Sequence, residues 1–385
     1  MNSVKCKGKG GKKRFDFKIY SLLFTLLTLS GCWDVDDINK RSVVLALGLD
    51  LTPEGRIRVS AQVPVIRDIY APYISGGQAA PKPFQVVSGE ADSSFGAVPE
   101  FQSKTIRSLF YGQIQAVIIS ADLAKRGLKP LVDFLERHPK IPPQAWVILS
   151  RGRAEDFLNT PLYSKEIPSL ALQIFFHSMS KSDRAYPLQE TEIVKAFTTG
   201  LEDAYMPLIA VDPAKREYNI DGLGVFHRDR LVGELSGAET RMFGFLSGRT
   251  GNAYPSIHLD NENKATFREV KASTKVKAIP KGQEIEFLFK TRARGYLVEL
   301  TNAKANLSLK DIREIEQKTE RAVKAEMLKT LRHLQELNSD ILGLGELVRA
   351  TQPEVWRRID WEREFPRIGV KVDFKFNIER TGTYR

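Results

Sequence analysis

The chain has 385 residues, with 58 Lys+Arg against 47 Asp+Glu for a formal net charge of +11, and it contains two cysteines. A composition 42% hydrophobic and 27% charged is that of a folded protein, which excludes wholesale disorder and fibrous repeats. Two cysteines exclude a disulfide-stapled scaffold and a Cys-rich metal module, and at ~150 residues per domain the length suggests two or three domains.

The charge is unevenly spread. Residues 1–31 hold seven basic side chains against the single Asp16, a net of +6, whereas residues 32–385 hold 51 against 46, a net of only +5. The basic cluster precedes an apolar run, Ile19 to Leu29, shorter than the ~20 residues a spanning helix needs, so residues 1–31 read as a signal peptide. The run closes on Leu29-Ser30-Gly31-Cys32, the small-residue approach to cysteine that lipoprotein processing requires. The Cys32 thiolate would take a diacylglyceryl group, and the bond before it would be cut. Two acyl chains, at ~0.8 kcal/mol per buried CH2, hold a protein at a membrane where one does not. Cys6 would leave with the leader. The +5 left on the remainder is too thin to argue for nucleic acid.

Residues 32–41 are polar and acidic (Asp34, Asp36, Asp37) and suit a tether. Ser42–Asp50 reads as a buried strand and Arg56–Val63 as its hairpin neighbour across Thr52-Pro53-Glu54-Gly55. Residues 71–83, with three prolines and two glycines, read as an exposed loop. A helix is predicted near 93–109, a strand over 114–120, a helical stretch over 121–138 and a buried strand over 145–150. Thr191–Thr199 reads as a helix and Met206–Val211 as a strand. Residues 42–212 therefore form an N-terminal α+β region of one domain or two, and Asp212-Pro213 with the change of pattern near 213–219 makes the best boundary candidate.

The second region, 219–385, opens with two apolar strands around His227-Arg228-Asp229-Arg230. Alternating strands over 265–278 and 284–300 flank Pro280-Lys281-Gly282. A long helix starts at Ser308 with Asp311 as capping partner, and Ile312, Ile315, Ala322, Val323, Met327, Leu331 and Leu334 form its apolar stripe. Glu314 with Lys318 and Glu320 with Lys324 stand at i,i+4 on the opposite face. Ile368 to Ile378 alternates as a strand. The fold class is α+β and multi-domain, each domain a mixed or antiparallel sheet flanked by helices.

Chemistry is sparse. The five histidines are scattered without zinc spacing, so no metal site and no cofactor are expected. Gly222-x-Gly224 and Gly343-x-Gly345 lack the third glycine of a dinucleotide loop and mark turns or close packing. No Gly-x-Ser-x-Gly elbow occurs. Glu239 is a lone carboxylate suited to capping or an ion pair. The acidic cluster at 34–37 lacks calcium-loop spacing. Trp356 and Trp361 read as core anchors. Lys271, Lys275, Lys277 and Lys281 form the wet face of a strand or touch lipid headgroups or peptidoglycan. No catalytic constellation emerges, and the chain reads as non-enzymatic, with a binding or assembly role.

Gly31-Cys32-Trp33-Asp34 and Leu47-Gly48-Leu49-Asp50 resemble the opening of the Ger(x)C lipoproteins, the C subunits of bacterial spore nutrient germinant receptors. The second region is similar to their C-terminal domain in Leu223-Gly224-Val225-Phe226, Leu231-Val232-Gly233, Glu239-Thr240-Arg241, Gly343-Leu344-Gly345, Trp361, Phe365 and Ile378-Glu379-Arg380-Thr381-Gly382. Glu234 stands where that pattern has an aromatic residue. The resemblance implies a non-enzymatic subunit, lipid-anchored on the outer face of the spore inner membrane, that assembles with a multi-pass A subunit and a permease-like B subunit. It also implies sheet-centred α+β domains. A solute-binding lipoprotein of an importer is the alternative.

Overall fold

The computed structural model describes residues 41–65, 82–137, 141–161, 167–178, 185–200, 202–249, 256–259, 263–281, 284–301 and 307–381. The lipobox residues Leu29, Ser30 and Gly31, the cysteines, the acidic residues at 34–37, the loop expected at 71–83 except Lys82 and Pro83, and Gly382 lie outside them. Residues 42–385 cluster as one unit.

The strands of the first region are β1 (Arg41–Val43), β2 (Ala46–Leu51), β3 (Ile57–Pro64), β4 (Phe84–Ala91), β5 (Ser108–Phe110), β6 (Ala116–Ser120), β7 (Trp146–Ser150), β8 (Leu188–Gln189) and β9 (Tyr205–Asp212). β10 (Glu217–His227) and β11 (Arg230–Leu235) follow. A nine-stranded sheet runs β11-β10-β9-β7-β6-β2-β3-β4, with β8 on β7. Its centre, β2-β6-β7-β9, is parallel, and both flanks are antiparallel. That arrangement explains the composition: strands covered on both faces read as apolar runs, as in Ala116-Val117-Ile118-Ile119 and Val147-Ile148-Leu149.

The two parities of these strands feed different cores. Leu47, Leu49, Val117, Ile119, Val147 and Leu149 pack against α1 (Ser94–Gln102), α2 (Ala121–Arg126), α3 (Lys129–Arg137) and α6 (Glu190–Thr199). Ala46, Ala116, Ile118 and Ile148 pack against Phe157 and Leu158 of α4 (Ala154–Asn159) and Leu172 and Phe176 of α5 (Pro168–Ser178). Full burial of each Leu, Ile, Val or Phe among these side chains is worth ~1.5–3 kcal/mol.

Several elements differ from the sequence reading, for local reasons. The strand expected over 42–50 is interrupted at Val44 and Leu45, whose N–H groups turn to Phe110 and Gln62 carbonyls, 2.9 Å in both cases. The helix expected to 109 stops at Gln102, where Ser103 bonds back to Pro99, and the chain then enters β5. The stretch over 121–138 is two helices, broken at Gly127 with φ 124, where a side chain would meet Asp229. The segment 213–219, where the sequence pattern changes, is the turn and start of the β9–β10 hairpin, and the nine-stranded sheet continues through it.

The second sheet runs β12 (Ser256–His258), β13 (Lys264–Lys281), β14 (Glu284–Leu300) and β15 (Gly369–Thr381). It is antiparallel except that β15 lies parallel to β14. One face buries Phe267, Phe287, Phe289, Val372, Phe374 and Phe376 against α7 (Gly237–Ser247) and α8 (Leu309–Glu336). The α8 stripe buries Ile315, Val323, Met327, Leu331 and Leu334, with Thr319 and Thr330 completing it; Ile312 and Ala322 are half-buried. Ser308 and Asp311 form the expected capping box. Glu314 pairs with Lys318 at 3.2 Å. Glu320 turns instead to β15, meeting Lys375 and the Phe376 N–H. Three short helices follow: α9 (Leu344–Thr351), α10 (Pro353–Trp356) and α11 (Trp361–Glu364).

Candidate functional site

Two motifs singled out in the sequence are built around buried aspartates. In Leu47-Gly48-Leu49-Asp50, Asp50 is 3% exposed and accepts the Ala154 and Glu155 N–H groups at 2.7 and 2.9 Å, capping α4. Burial pushes its carboxyl above the usual range, against those hydrogen bonds. Gly48 keeps the strand close to that helix, since a Cβ there would stand 2.9 Å from Leu158.

The second aspartate holds the junction between the two sheets. Asp340 is 5% exposed; its oxygens accept the Leu344 N–H at 2.8 Å and the Gly345 N–H at 2.7 Å, capping α9, and the Trp361 indole lies beside that helix start. Burial, reinforced by the charge of Asp203, pushes its pKa up to about 7. Gly343 takes φ 65 at the helix start, and a Cβ on Gly345 would lie 2.8 Å from the Trp361 indole nitrogen. Gly343-x-Gly345 is thus a turn followed by a close approach. Asp203 completes the junction: it accepts the Asp340 N–H at 2.8 Å and the Arg228 N–H at 2.7 Å, while its own N–H donates to the Asp340 carbonyl at 3.2 Å. Ser339 Oγ donates to the Phe226 carbonyl at the end of β10.

Over this clasp lies a cleft of about 270 Å³. It is lined by Asp203, His227, Arg228, Asn338, Asp340, Trp356, Trp361 and Glu362, among others. Glu362 joins His227 at 3.0 Å and Arg228 at 2.5 Å, and the His227 hydrogen bond holds its carboxyl below the usual range. Trp361 stands 5.8 Å from both Trp356 and Phe365, so the tryptophans are core anchors whose edges reach the cleft. A neighbouring cleft of about 300 Å³ shares Glu202 and Asp203 and is lined also by Tyr205, Arg249 and Thr274. In the first cleft, Asp203 and Asp340 spend their oxygens on backbone N–H groups, which serves to tie three chain segments together. Among the described residues no group of three or more His, Cys, Asp or Glu could hold a metal ion.

The remaining candidates disperse. Glu239 caps α7 through Ser236 and pairs with His333 at 2.8 Å. His177 meets Trp146 edge-on, and His258 lies in β12. Gly222 takes φ 101, and a Cβ on Gly224 would overlap Leu149, so that pair too marks close packing. Lys271, Lys275, Lys277 and Lys281 are exposed on β13. Asp203 and Asp340 escaped the sequence reading. Asp340 could have been found from its place ahead of Gly343-Leu344-Gly345, where a helix N-terminus asks for an oxygen; Asp203 carries no local signal.

Two family descriptions match the chain in order. The spore germination protein N-terminal domain covers residues 34–211, and the spore germination B3/GerAC-like C-terminal domain covers 221–382. The chain is similar to spore germination protein B3 of Bacillus subtilis (strain 168), 26% identical over 382 residues, covering 95% of this chain and 98% of that one. It is also similar to spore germination protein YndF of the same organism, 22% identical over 390 residues, covering 94% and 95%. Among solved structures it resembles that of the GerBC protein, with a TM-score of 0.59 and 18% identity over 90% of this chain and 100% of that one.

Proposed function

The chain belongs to the spore germination B3/GerAC-like family, the Ger(x)C proteins, and from that premise we propose that it is the lipid-anchored C subunit of a spore nutrient germinant receptor. The observation that carries this reading is order along the chain: Leu29-Ser30-Gly31-Cys32 stands directly ahead of the two family domains, which begin at residue 34. Cys32, once acylated, holds the protein on the outer face of the spore inner membrane. Confinement to that surface raises its effective concentration toward a multi-pass A subunit and a permease-like B subunit, so modest contacts suffice for assembly. The subunit acts without catalysis: germinant binding elsewhere shifts the complex between states, and this chain contributes by contacting one state better. The way Asp203 and Asp340 use their oxygens on backbone N–H groups accords with an assembly role.

The test is recovery of the tagged protein from solubilised spore membrane. Multi-pass partners in the eluate support the receptor reading, and an ATPase in their place assigns the chain to an importer. Replacing Cys32 by Ala is expected to release the protein from the membrane fraction and abolish its contribution to nutrient-triggered germination. Full retention of both would overturn the anchor.

A further inference from the structure

The outer face of the second sheet concentrates the net positive charge of residues 32–385. Between Lys271 and Lys281 of β13, Glu284 and Arg294 of β14, and Gly369 and Asn377 of β15 the strands pair without a register shift. Odd-numbered residues of β13 and β15 and even-numbered residues of β14 face away from the phenylalanine core there. Five basic residues of this face have acidic partners. Arg292 pairs with Asp373 and Arg294 with Glu379 at 3.0 Å; Lys281 and Lys371 share Glu286 at 2.7 and 2.9 Å; Lys375 reaches over the edge to Glu320 at 2.9 Å. Lys271, Lys275, Lys277 and Lys290 are exposed and have no ion pair among the described residues.

The face therefore presents nine basic side chains against Glu284, Glu286 and Asp373, and with Glu379, the partner of Arg294 just past the uninterrupted stretch, the net is +5, which equals the net charge of residues 32–385 as a whole. The rest of that stretch is balanced. We propose that this face lies against the anionic headgroups of a lipid bilayer. For the identity of the membrane the proposal rests on the reading of Cys32 as the anchor; the charge of the face does not.

The chemistry favours lipid over protein. Protein interfaces are depleted in lysine and gather their affinity on buried aromatic and arginine anchors. Over the uninterrupted stretch the unpaired basic residues here are all lysines, laid out on a regular sheet. An anionic bilayer recognises such an array, because each basic residue within a Debye length, about 10 Å at 0.1 M salt, adds to the attraction without requiring a shaped partner.

The full chain is tested in vesicles of phosphatidylcholine alone and of phosphatidylcholine mixed with phosphatidylglycerol, by flotation and by acylating exposed lysines with a water-soluble reagent. Modification of Lys271, Lys275, Lys277 and Lys290 is expected to fall at least roughly threefold on the anionic vesicles and to recover near 1 M salt, where the screening length is about 3 Å. Lys125 of α2 and Lys215 of the β9–β10 turn, both exposed, should be modified equally in both. The variant Lys275→Glu/Lys277→Glu/Lys290→Glu, altered only at exposed positions, should lose the protection of Lys271. Equal modification on both vesicle types, with the chain still floating on the neutral ones, overturns this proposal and leaves the anchor standing. Flotation on anionic vesicles alone does the reverse. Protection only in membranes that contain the other receptor subunits would assign the face to a protein and overturn it as well.

Discussion

At Asp340 a single carboxyl joins two regions of the protein. It caps α9, meets Trp361, and through its backbone binds Asp203, which in turn holds the turn after β10. Its raised pKa has a thermodynamic consequence with a definite sign. Between the unfolded value of 3.8 and the folded value of about 7, the native state keeps a proton that the unfolded chain has released. Stability contributed by this group is therefore complete below about pH 4 and is lost as pH rises toward 7, at up to about 1.4 kcal/mol per pH unit. Asp340→Asn should remove that slope from urea titrations repeated across this range. Above about pH 7, where the folded carboxyl is ionised and both oxygens accept, it should also cost about 1–3 kcal/mol, because an amide offers one acceptor where two N–H groups need one each. An unchanged slope would mean that the carboxyl is ionised in the folded protein.

At the scale of elements, α8 protects the edge of the second sheet as well as its core. β15 is an edge strand, and an open row of N–H groups invites another chain. Glu316 accepts the Ile378 N–H at 2.8 Å and Glu320 the Phe376 N–H at 3.1 Å, so two helix carboxylates occupy the edge. Glu316→Ala/Glu320→Ala should speed amide exchange at Phe376 and Ile378 specifically and cost about 1.5–3 kcal/mol per charged hydrogen bond removed. Exchange no faster than in the unaltered chain would show the edge to be covered by other means. This contact also marks where the sequence stops being readable. The alternation of Val370 to Ile378, the capping box at Ser308 and the apolar stripe of α8 are local patterns, and the elements follow them. The i,i+4 rule paired Glu320 with Lys324 because it sees one helix, whereas the strand that claims Glu320 lies 55 residues on. The candidate site divides similarly. Gly343-x-Gly345 and Trp361 stand out in the sequence, but what unites them is Asp203, which meets Asp340 across a separation of 137 residues.

Across the whole molecule, the sheet runs through the place where the sequence pattern changes. β10 and β11 come after residue 213 yet extend the sheet beyond β9, and Leu223, Val225, Phe226 and Leu231 are buried in the core of the first region. Leu334 and Ile341, from farther along, join the same core. A fragment of residues 42–212 would lose those side chains and open β9 as a long, apolar edge. A fragment of residues 42–248 keeps β10, β11 and α7 and leaves the edge at β11, whose exposed positions include Arg230 and Glu234. Each fully buried Leu, Val or Phe restored is worth ~1.5–3 kcal/mol against a typical domain stability of ~5–15 kcal/mol, so the difference decides whether the fragment folds. Size-exclusion chromatography and urea unfolding should find the longer fragment monomeric and cooperative, and the shorter one associated or without a transition. A monomeric 42–212 fragment that unfolds in one sharp step would place the working boundary before β10, leaving the hairpin as an attachment to a sheet that stands without it.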